Sequence, residues 1–424
     1  MLVVACGSDR ATSAQPDTHS GGAAGGNVAE SGAPDKGNDS GGPPSTGGAS
    51  GMGGTGPESA LGGDSSEGGD AALQGASLAV APNYACAIAT GGIVKCWGND
   101  ANDRFTSSPS ETDNCYELVG NVVGNQVPCS PQPVAVVGQT GSVVAISAGS
   151  NGVCGLTGAG ELQCWGDSSI RQLPPDLRGP FTAVSVGAGF ACAITKGSVT
   201  CWGSQVSNEN GKVQGLADAI VVSAGASSAC SLTASGGVKC WGFNTNGQLG
   251  NGSMSDSFSL TAVQVVGLTR GVSQVAVGFA GACALTTAGS VQCWGDFTTL
   301  GVVPGNVVNP DSAVPVQVVG LTSGVKSVAV GGAQKSSACA ITSSSGVECW
   351  GWNEEYQKYD STPAADPLLA AVIGTGVKSV SVGNGFACAE VQGGIQCWGE
   401  STQGQLGDGM LNPSSIPPPP VSGL

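Results

Sequence analysis

The sequence predicts an all-β fold, a seven-bladed β-propeller that follows a Gly/Ser-rich segment. A unit of two short strands recurs seven times between Tyr84 and Gly399. Within these units Val and Ile alternate with other residues at period two, glycines mark the turns, and no stretch has helical periodicity. One such unit cannot bury both faces of its strands, whereas a closed ring of seven units can.

Each unit contains two cysteines and ends in Cys-Trp-Gly. Most units follow an alternating apolar segment such as VSQVAVG (272–278), and three are led further upstream by a segment like VQVVGL (316–321). The seven copies are YACAIATGGIVKCWG, GVCGLTGAGELQCWG, FACAITKGSVTCWG, SACSLTASGGVKCWG, GACALTTAGSVQCWG, SACAITSSSGVECWG and FACAEVQGGIQCWG. Because PPPVSGL (418–424) at the C-terminus resembles VQVVGL, we expect residues 418–424 to complete the first blade and close the ring.

Composition divides the 424 residues into three parts. Residues 1–6 resemble the end of a lipoprotein signal, residues 7–76 form a Gly/Ser/Asp-rich linker, and residues 77–424 form the propeller. Residues 1–76 hold nine acidic and two basic residues and no Phe, Trp or Tyr. Such a segment cannot bury enough apolar surface to offset its chain entropy, so we expect it to be a disordered tether.

Cysteine spacing predicts disulfides within the repeated hairpins. The two cysteines of a unit are ten positions apart in five units and nine apart in two. The nine-residue spacing suits a two-residue turn and the ten-residue spacing a three-residue turn with glycine in the left-handed conformation, so that in both cases the cysteines lie opposite each other. The expected pairs are Cys86–Cys96, Cys154–Cys164, Cys192–Cys201, Cys230–Cys240, Cys283–Cys293, Cys339–Cys349 and Cys388–Cys397, with Cys115–Cys129 as an eighth in the insertion 100–134.

Eight disulfides indicate an oxidising compartment. Two alternatives remain open, namely reduced cysteines in a cytosolic propeller and cysteines that bind a metal. Zinc sites favour cysteines two to four residues apart, often with histidine, and the one histidine of this chain, His19, lies in the linker. We therefore expect no metal site and no cofactor.

The seventeenth cysteine, Cys6, follows Val3-Val4-Ala5, which resembles a bacterial lipobox. In that case Cys6 carries lipid, the tether separates the propeller from a membrane, and the natural start lies upstream, because a signal peptide has a longer apolar region. The expected location is the bacterial outer membrane or cell surface, with secretion as one alternative and a chance cysteine at a cytosolic N-terminus as another.

The repeat resembles the regulator of chromosome condensation repeat, a family of seven-bladed propellers. The resemblance rests on G-x-x-x-A-C-A-[IL]-T, on G-x-V-x-C-W-G and on the Gly-Gln-Leu-Gly loops NTNGQLGNG (244–252) and STQGQLGDG (401–409). It covers residues 77–424, and the cysteine-paired form is similar to bacterial exported members. Activities implied by the family include nucleotide exchange on a small GTPase, chromatin binding, ultraviolet sensing and inhibition of secreted β-lactamases.

Composition and motifs disfavour nucleic-acid binding and catalysis. The net charge is −16 and only 14 residues are Lys or Arg, whereas a phosphate backbone requires clustered bases. The chain has no Ser-His-Asp set, no phosphate-binding loop and no sialidase Asp-box. We therefore predict a protein that is not an enzyme, and NDANDR (99–104) is better interpreted as a polar turn than as a calcium loop.

Two loops are candidate interfaces. Seven of the eight tryptophans recur at one position and are assigned to packing between blades, whereas Trp352 lies outside the repeat with Tyr356 and Tyr359. Packing beneath this loop is the alternative. The second candidate is the cysteine-bearing insertion, which has three residues suited to contact, Arg104, Phe105 and Tyr116.

The predicted function is a monomeric, non-catalytic protein-binding or scaffold module at the bacterial cell surface, with an unknown protein or surface ligand as its partner. One alternative is a regulator of a nucleotide-binding protein, acting as a guanine nucleotide exchange factor does. Others are an inhibitor of a secreted enzyme and an enzyme acting on polysaccharide.

Overall fold

The protein is described here as a computed structural model. The described residues are 76–101, 105, 113–119, 122–204, 211–296, 311–332, 337–351, 366–411 and 420–424. Residues 1–75, which include Cys6 and all of the predicted tether except Ala76, lie outside them. In the described part of the chain no helix is long and apolar enough to cross a membrane.

Seven antiparallel sheets follow one another along the chain, which confirms the seven-bladed β-propeller. Blade 1 comprises β1 (Leu78–Val80), β2 (Tyr84–Ala89), β3 (Ile93–Asn99), β4 (Asp113–Val119) and β5 (Val122–Ala135). Blade 2 comprises β6 (Val143–Gly149), β7 (Gly152–Thr157) and β8 (Leu162–Gly166), followed by the helix α1 (Ser168–Arg171). Blade 3 comprises β9 (Ala183–Val186), β10 (Phe190–Thr195) and β11 (Ser198–Gly203).

The remaining four blades have the same order of strands. Blade 4 comprises β12 (Ala219–Ala224), β13 (Ser228–Thr233), β14 (Val238–Asn244) and β15 (Ser255–Gln264). Blade 5 comprises β16 (Val272–Val277), β17 (Gly281–Thr286), β18 (Val291–Asp296) and β19 (Asp311–Gln317). Blade 6 comprises β20 (Val325–Gly331), β21 (Ser337–Thr342), β22 (Val347–Gly351) and β23 (Asp366–Ile373). Blade 7 comprises β24 (Val377–Val382), β25 (Phe386–Val391) and β26 (Gly394–Gly399).

Seven hydrophobic clusters hold the ring together, one between each pair of neighbouring blades. Each cluster contains one repeat tryptophan, which the later blade contributes, and the cluster of blades 7 and 1 contains Trp97. The repeat tryptophans are at most 8% exposed. They therefore pack between blades, as the sequence predicts.

Cysteine pairs join the second and third strands of every blade. In each blade the two cysteines face each other directly in the strand register, as Cys192 faces Cys201. Their Cα atoms are 4.0 or 4.1 Å apart in the seven repeats. All seven predicted pairs are disulfides, and their number indicates an oxidising, extracellular type of environment.

Hairpin turns between these strands have the predicted lengths. In blade 3, Thr195 faces Ser198, and the two turn residues Lys196 and Gly197 have φ values of 50° and 75°. In blade 4 the turn has three residues and ends at Gly236, whose φ is 78°. Positive φ at both residues of the two-residue turn matches the right-handed twist of the flanking strands. In the three-residue turn the last residue takes the positive φ, so the cysteines lie opposite each other at the ten-residue spacing as well.

The C-terminal segment pairs with the last blade, so the prediction that residues 418–424 complete the first blade is wrong. Pro420 forms a bridge with Gln396 of β26, and the Val421 N–H donates to the Ile395 carbonyl at 2.8 Å. A segment of the VQVVGL type follows the third strand of a blade in the chain and pairs with that strand, because the chain returns antiparallel beside it. The same segments in blades 4 and 5 continue β15 and β19, the outermost strands of those blades.

A loop of blade 7 closes the ring instead. The indole N–H of Trp97 donates to the Gln405 carbonyl at 2.9 Å, and the Asn99 amide donates to Gln403 Oε1 at 3.0 Å. These bonds join blade 1 to the loop 401–409. The first and last blades are thus connected by side-chain packing and hydrogen bonds rather than by a shared sheet.

Candidate functional site

The loops after the first and third strands of each blade lie on one face of the propeller, which we call the insertion face. Alternation of antiparallel strands places them there, and in five blades a backbone hydrogen bond of 2.9 or 3.0 Å joins the two loops. The N–H of the residue after Trp-Gly donates to a carbonyl of the earlier loop, in the pairs Asn99–Asn83, Asp167–Asn151, Phe243–Ser227, Asp296–Ala280 and Glu400–Gly385. The third strands that precede the two candidate interface loops, β3 and β22, both end on this face.

A β-hairpin extends from the insertion face at blade 1. The later part of β5 (Val122–Ala135) pairs with β3, whereas its earlier part pairs with β4 (Asp113–Val119), which is the outermost strand of the sheet. The part of β5 that precedes Cys129 extends beyond the end of β3, by roughly 20 Å at the usual rise per residue. The hairpin therefore presents an edge strand beyond the body of the ring.

A disulfide between Cys115 and Cys129 fastens this hairpin at its base. Cys129 faces Asn99 of β3, and Cys115 faces Val127, so the two cysteines are diagonal neighbours with Cα atoms 5.8 Å apart. Both cysteines are fully buried. The predicted pair is therefore present, and it preorganises the hairpin by limiting the conformations of its two strands.

Phe105 is a core residue, so the prediction that it lies at an interface is wrong. It is 1% exposed, and its ring centroid lies 6.1 Å from that of Tyr84. Its N–H donates to Asp100 Oδ1 at 2.9 Å, and its carbonyl accepts from Val137 N at 3.2 Å. Although the insertion is polar, the Phe105 ring is buried because it fills the space beside Tyr84 at the base of the insertion.

The other residues predicted at interfaces are not described. Arg104, Trp352, Tyr356 and Tyr359 lie outside the described residues, and of Tyr116 only the backbone is described, in register with Gln126. Gln126 is exposed. Contact by these residues stays a prediction.

The two Gly-Gln-Leu-Gly loops have a structural role on the same face. Leu249 and Leu406 are buried, and the carbonyls of Gln248 and Gln405 accept the indole N–H groups of the tryptophans of the next blades at 2.8 and 2.9 Å. A Cβ atom on Gly407 would lie 2.8 Å from the ring of Trp97. These motif residues hold neighbouring blades together, which leaves the variable insertions as the candidate contact residues.

Hydrogen bonds between serines of the first strands and the next blade were not predicted. Ser147, Ser185, Ser223 and Ser381 each accept a backbone N–H of the following blade through Oγ, at 2.9 or 3.0 Å. These strands surround a central cavity of about 350 Å³ lined by small residues. The signal in the sequence is the recurring Ser-Val-Gly or Ser-Ala-Gly at the end of the first strand.

The acidic and cysteine side chains of the described residues form no candidate metal centre. This part of the chain contains no group of three or more His, Cys, Asp or Glu side chains that could hold a metal ion. The pKa of Asp167 is lowered, first by the nearby Ser169 side chain and then by the Ser169 backbone N–H, which donates to Asp167 Oδ1 at 2.8 Å. Asp167 caps α1, so its lowered pKa has a structural cause.

Comparison with known proteins identifies the repeats. The profile of the Regulator of chromosome condensation (RCC1) repeat matches residues 143–169, 220–248 and 272–298, in blades 2, 4 and 5. The chain is 26% identical over 359 residues to the human E3 ubiquitin-protein ligase HERC2, covering 74% of this chain and 7% of HERC2. It is 28% identical over 262 residues to the Ultraviolet-B receptor UVR8 of Arabidopsis thaliana, covering 55% of this chain and 56% of UVR8.

Solved structures show the same fold. Human WBSCR16 aligns with a TM-score of 0.61 at 18% identity, over 76% of this chain and 92% of that one. Prp20p from Saccharomyces cerevisiae, whose structure was described together with its binding to Gsp1p and histones, aligns with a TM-score of 0.60 at 17% identity, over 74% and 81% of the two chains. The chain is therefore a seven-bladed β-propeller in which residues 143–169, 220–248 and 272–298 match the regulator of chromosome condensation repeat.

Proposed function

We propose that this chain is a non-catalytic protein-binding module, exported by a bacterium and held at the cell surface by lipid on Cys6. The observation that carries the proposal is the stapled hairpin on the insertion face of a ring whose seven blades each contain a disulfide. A preorganised edge strand loses little conformational entropy when a partner binds, so it is suited to protein contact.

The relatives support protein binding in general terms. HERC2 is named as a ubiquitin ligase, UVR8 as a light receptor, and Prp20p is described with protein partners. Their contacts are not transferred to residues of this chain. The disulfides favour an exported module over a regulator of a cytosolic nucleotide-binding protein, because thiols stay reduced in the cytosol.

Site-specific crosslinking tests the binding surface. A photo-crosslinking amino acid replaces Gln126 on the hairpin or, as a control, the exposed Thr90 in the turn between β2 and β3 on the opposite face. We expect the chain with the probe at Gln126 to capture one extracellular protein in intact cells and the chain with the probe at Thr90 to capture none. Equal capture at both positions, or none at Gln126, would contradict the proposed surface.

Fractionation and mass spectrometry test the location. We expect the wild-type chain, expressed from its native gene in its own host, to remain in the membrane fraction with lipid on Cys6. The Cys6→Ala variant should appear in the soluble exported fraction. An unmodified Cys6 in the mature protein would rule out the lipid anchor while leaving the binding surface open to the crosslinking test.

A further inference from the structure

The described chain begins at the wall of the central cavity. This cavity of about 350 Å³ is surrounded by the first strands of the blades, and Ala76, the first described residue, belongs to its lining. Ala76 pairs with the neighbouring blade. It forms an antiparallel bridge with Ile146 in β6, the first strand of blade 2, and its carbonyl accepts the Ile146 N–H at 2.9 Å.

This bridge sets the direction from which the chain reaches Ala76. In an antiparallel pair, the residues that precede Ala76 lie opposite those that follow Ile146, so the register places Gln74 opposite Ala148. β6 runs towards the insertion face, because the loop after it lies on that face. A continuation of the pairing would therefore lead residues 72–75 along the cavity, from the insertion face to Ala76.

The inner edge of β6 has a backbone group ready for such a continuation. The Ala148 N–H lies two residues after that of Ile146, so both point to the same edge of the strand. In blades 1, 3, 4 and 5 a serine Oγ of the preceding blade accepts the equivalent N–H. Before blade 2 the position of that serine is occupied by Ala79, whose side chain has no acceptor.

Blade 6 shows how the inner edge of a first strand is paired inside this cavity. Its Val328 is equivalent to Ile146 and donates its N–H to Gln274 Oε1 of blade 5, while the Val328 carbonyl accepts from Gln274 Nε2, both at 3.0 Å. The side-chain amide makes the two bonds that a backbone amide of an added strand would make. In blade 2 the main chain of Ala76 takes this place, so the inner edge there already binds a peptide group.

We propose that residues 72–75, Ala-Leu-Gln-Gly, occupy the central cavity as a short strand antiparallel to β6, with the Gln74 carbonyl accepting the Ala148 N–H. The cavity is lined mainly by Ala, Gly, Ser and Val, which leaves space for a main chain. Its volume falls in the range of pockets that hold a drug-sized molecule, which is about the size of a tetrapeptide. The strand supplies partners to backbone groups that face the cavity.

This inference goes beyond the proposed function, because it depends neither on the hairpin nor on lipid at Cys6. It makes the segment before β1 part of the ring, where it fills the cavity. Residues 68–71 then lie at the end of the cavity that opens on the insertion face.

Engineered cysteine pairs in the full chain test the register. In Q74C/A148C the two residues are opposed in an antiparallel pair, with Cα atoms about 5.5 Å apart, which is within the range of disulfides. We expect mass mapping without reductant to find an additional disulfide between them. Q74C/V330C is the matched control, because Val330 has the position of Ala148 in blade 6 and should form no such bond. Both variants also contain C6A, which removes the remaining unpaired cysteine.

Hydrogen exchange tests the backbone bond. Q74P removes the N–H of residue 74 and excludes it from a paired strand, whereas Q74A keeps that N–H. We expect the Ala148 amide to exchange about tenfold faster in Q74P than in wild type, since its hydrogen bond is lost, and Q74A to match wild type. The Val330 amide should exchange alike in all three proteins.

Three results would overturn the proposal. The first is no additional disulfide in Q74C/A148C, and the second is equal bridging of residue 74 to positions 148 and 330. The third is equal exchange of the Ala148 amide in wild type, Q74A and Q74P, which would show that solvent or a small ligand fills the cavity instead of residues 72–75. The exchange measurement needs no new cysteine, so it still decides the question if a cysteine variant fails to fold.

Discussion

Gly407 offers a direct test of how the ring closes. Its φ is 70°, and a Cβ atom at this position would lie 2.8 Å from Cδ1 and Nε1 of Trp97 and 2.9 Å from Val421 Cγ1. Trp97 is fully buried, and its indole N–H is held by Gln405. The indole of Trp97 therefore cannot move aside without breaking the contact between blades 7 and 1.

Two costs add in Gly407→Ala. A left-handed conformation costs an alanine about 1–2 kcal/mol, and forcing a methyl group into a filled space costs about 1–3 kcal/mol. Together they lower the free energy of unfolding by about 2–5 kcal/mol. With an unfolding entropy of about 2.1 cal/mol/K per residue and about 350 residues in the ring, the Tm falls by roughly 3–7 °C.

The matched control is Gly267→Ala. Gly267 has a φ of 76°, and no atom lies within 4 Å of the position of its Cβ, so this variant has the conformational cost alone. We expect it to lose about 1–2 kcal/mol in chemical denaturation without reductant. Equal losses in the two variants would refute the conclusion that the loop 401–409 packs against Trp97 to close the ring.

Three further predictions concern bonds within and between blades. Replacing both Cys192 and Cys201 by alanine should lower the free energy of unfolding by about 2–3 kcal/mol, since the disulfide closes a short loop in the unfolded chain. In denaturant titrations Ser185→Ala should cost roughly 1 kcal/mol, because the Ala224 N–H loses its acceptor at 2.9 Å. The pKa of Asp167 is lowered in the folded protein, so its charged carboxylate stabilises the fold. This stabilisation is fully present above about pH 3.9, the ordinary aspartate value, and is progressively lost as the pH falls below it. Thermal unfolding of wild type and Asp167→Asn across this range measures that loss.

Each of these predictions has a control. Ser185→Thr keeps a hydroxyl and should retain most of the stability that Ser185→Ala loses, so equal losses would argue against the hydrogen bond. Unchanged stability of the double cysteine variant would contradict a bridged native hairpin. A difference between Asp167→Asn and wild type that stays constant from pH 2 to pH 5 would show that the carboxylate charge has no role at the cap.

Most of the fold could be predicted because the repeat encodes it locally. The distance between the two cysteines sets the turn, the turn sets the register, and the register brings Cys192 opposite Cys201. The alternating valines then show which face of each strand packs against the neighbouring blade. Each of these relations spans about ten residues, so the sequence shows them without reference to the rest of the molecule.

Ring closure and the burial of Phe105 could not be predicted in this way. PPPVSGL resembles VQVVGL, but the resemblance does not say which third strand it joins; Val421 pairs with Ile395 because that edge lies beside the returning chain. Phe105 looked suited to an interface, and only the neighbouring Tyr84 shows that it is buried.

The sequence by itself determined the number of blades, the disulfide partners and the oxidising environment, because spacing along the chain and composition decide them. Tertiary structure decided which loop closes the ring, which face bears the hairpin and that Phe105 is buried. These depend on contacts between residues far apart in the chain, such as Trp97 and Gln405, and a local pattern does not specify such contacts.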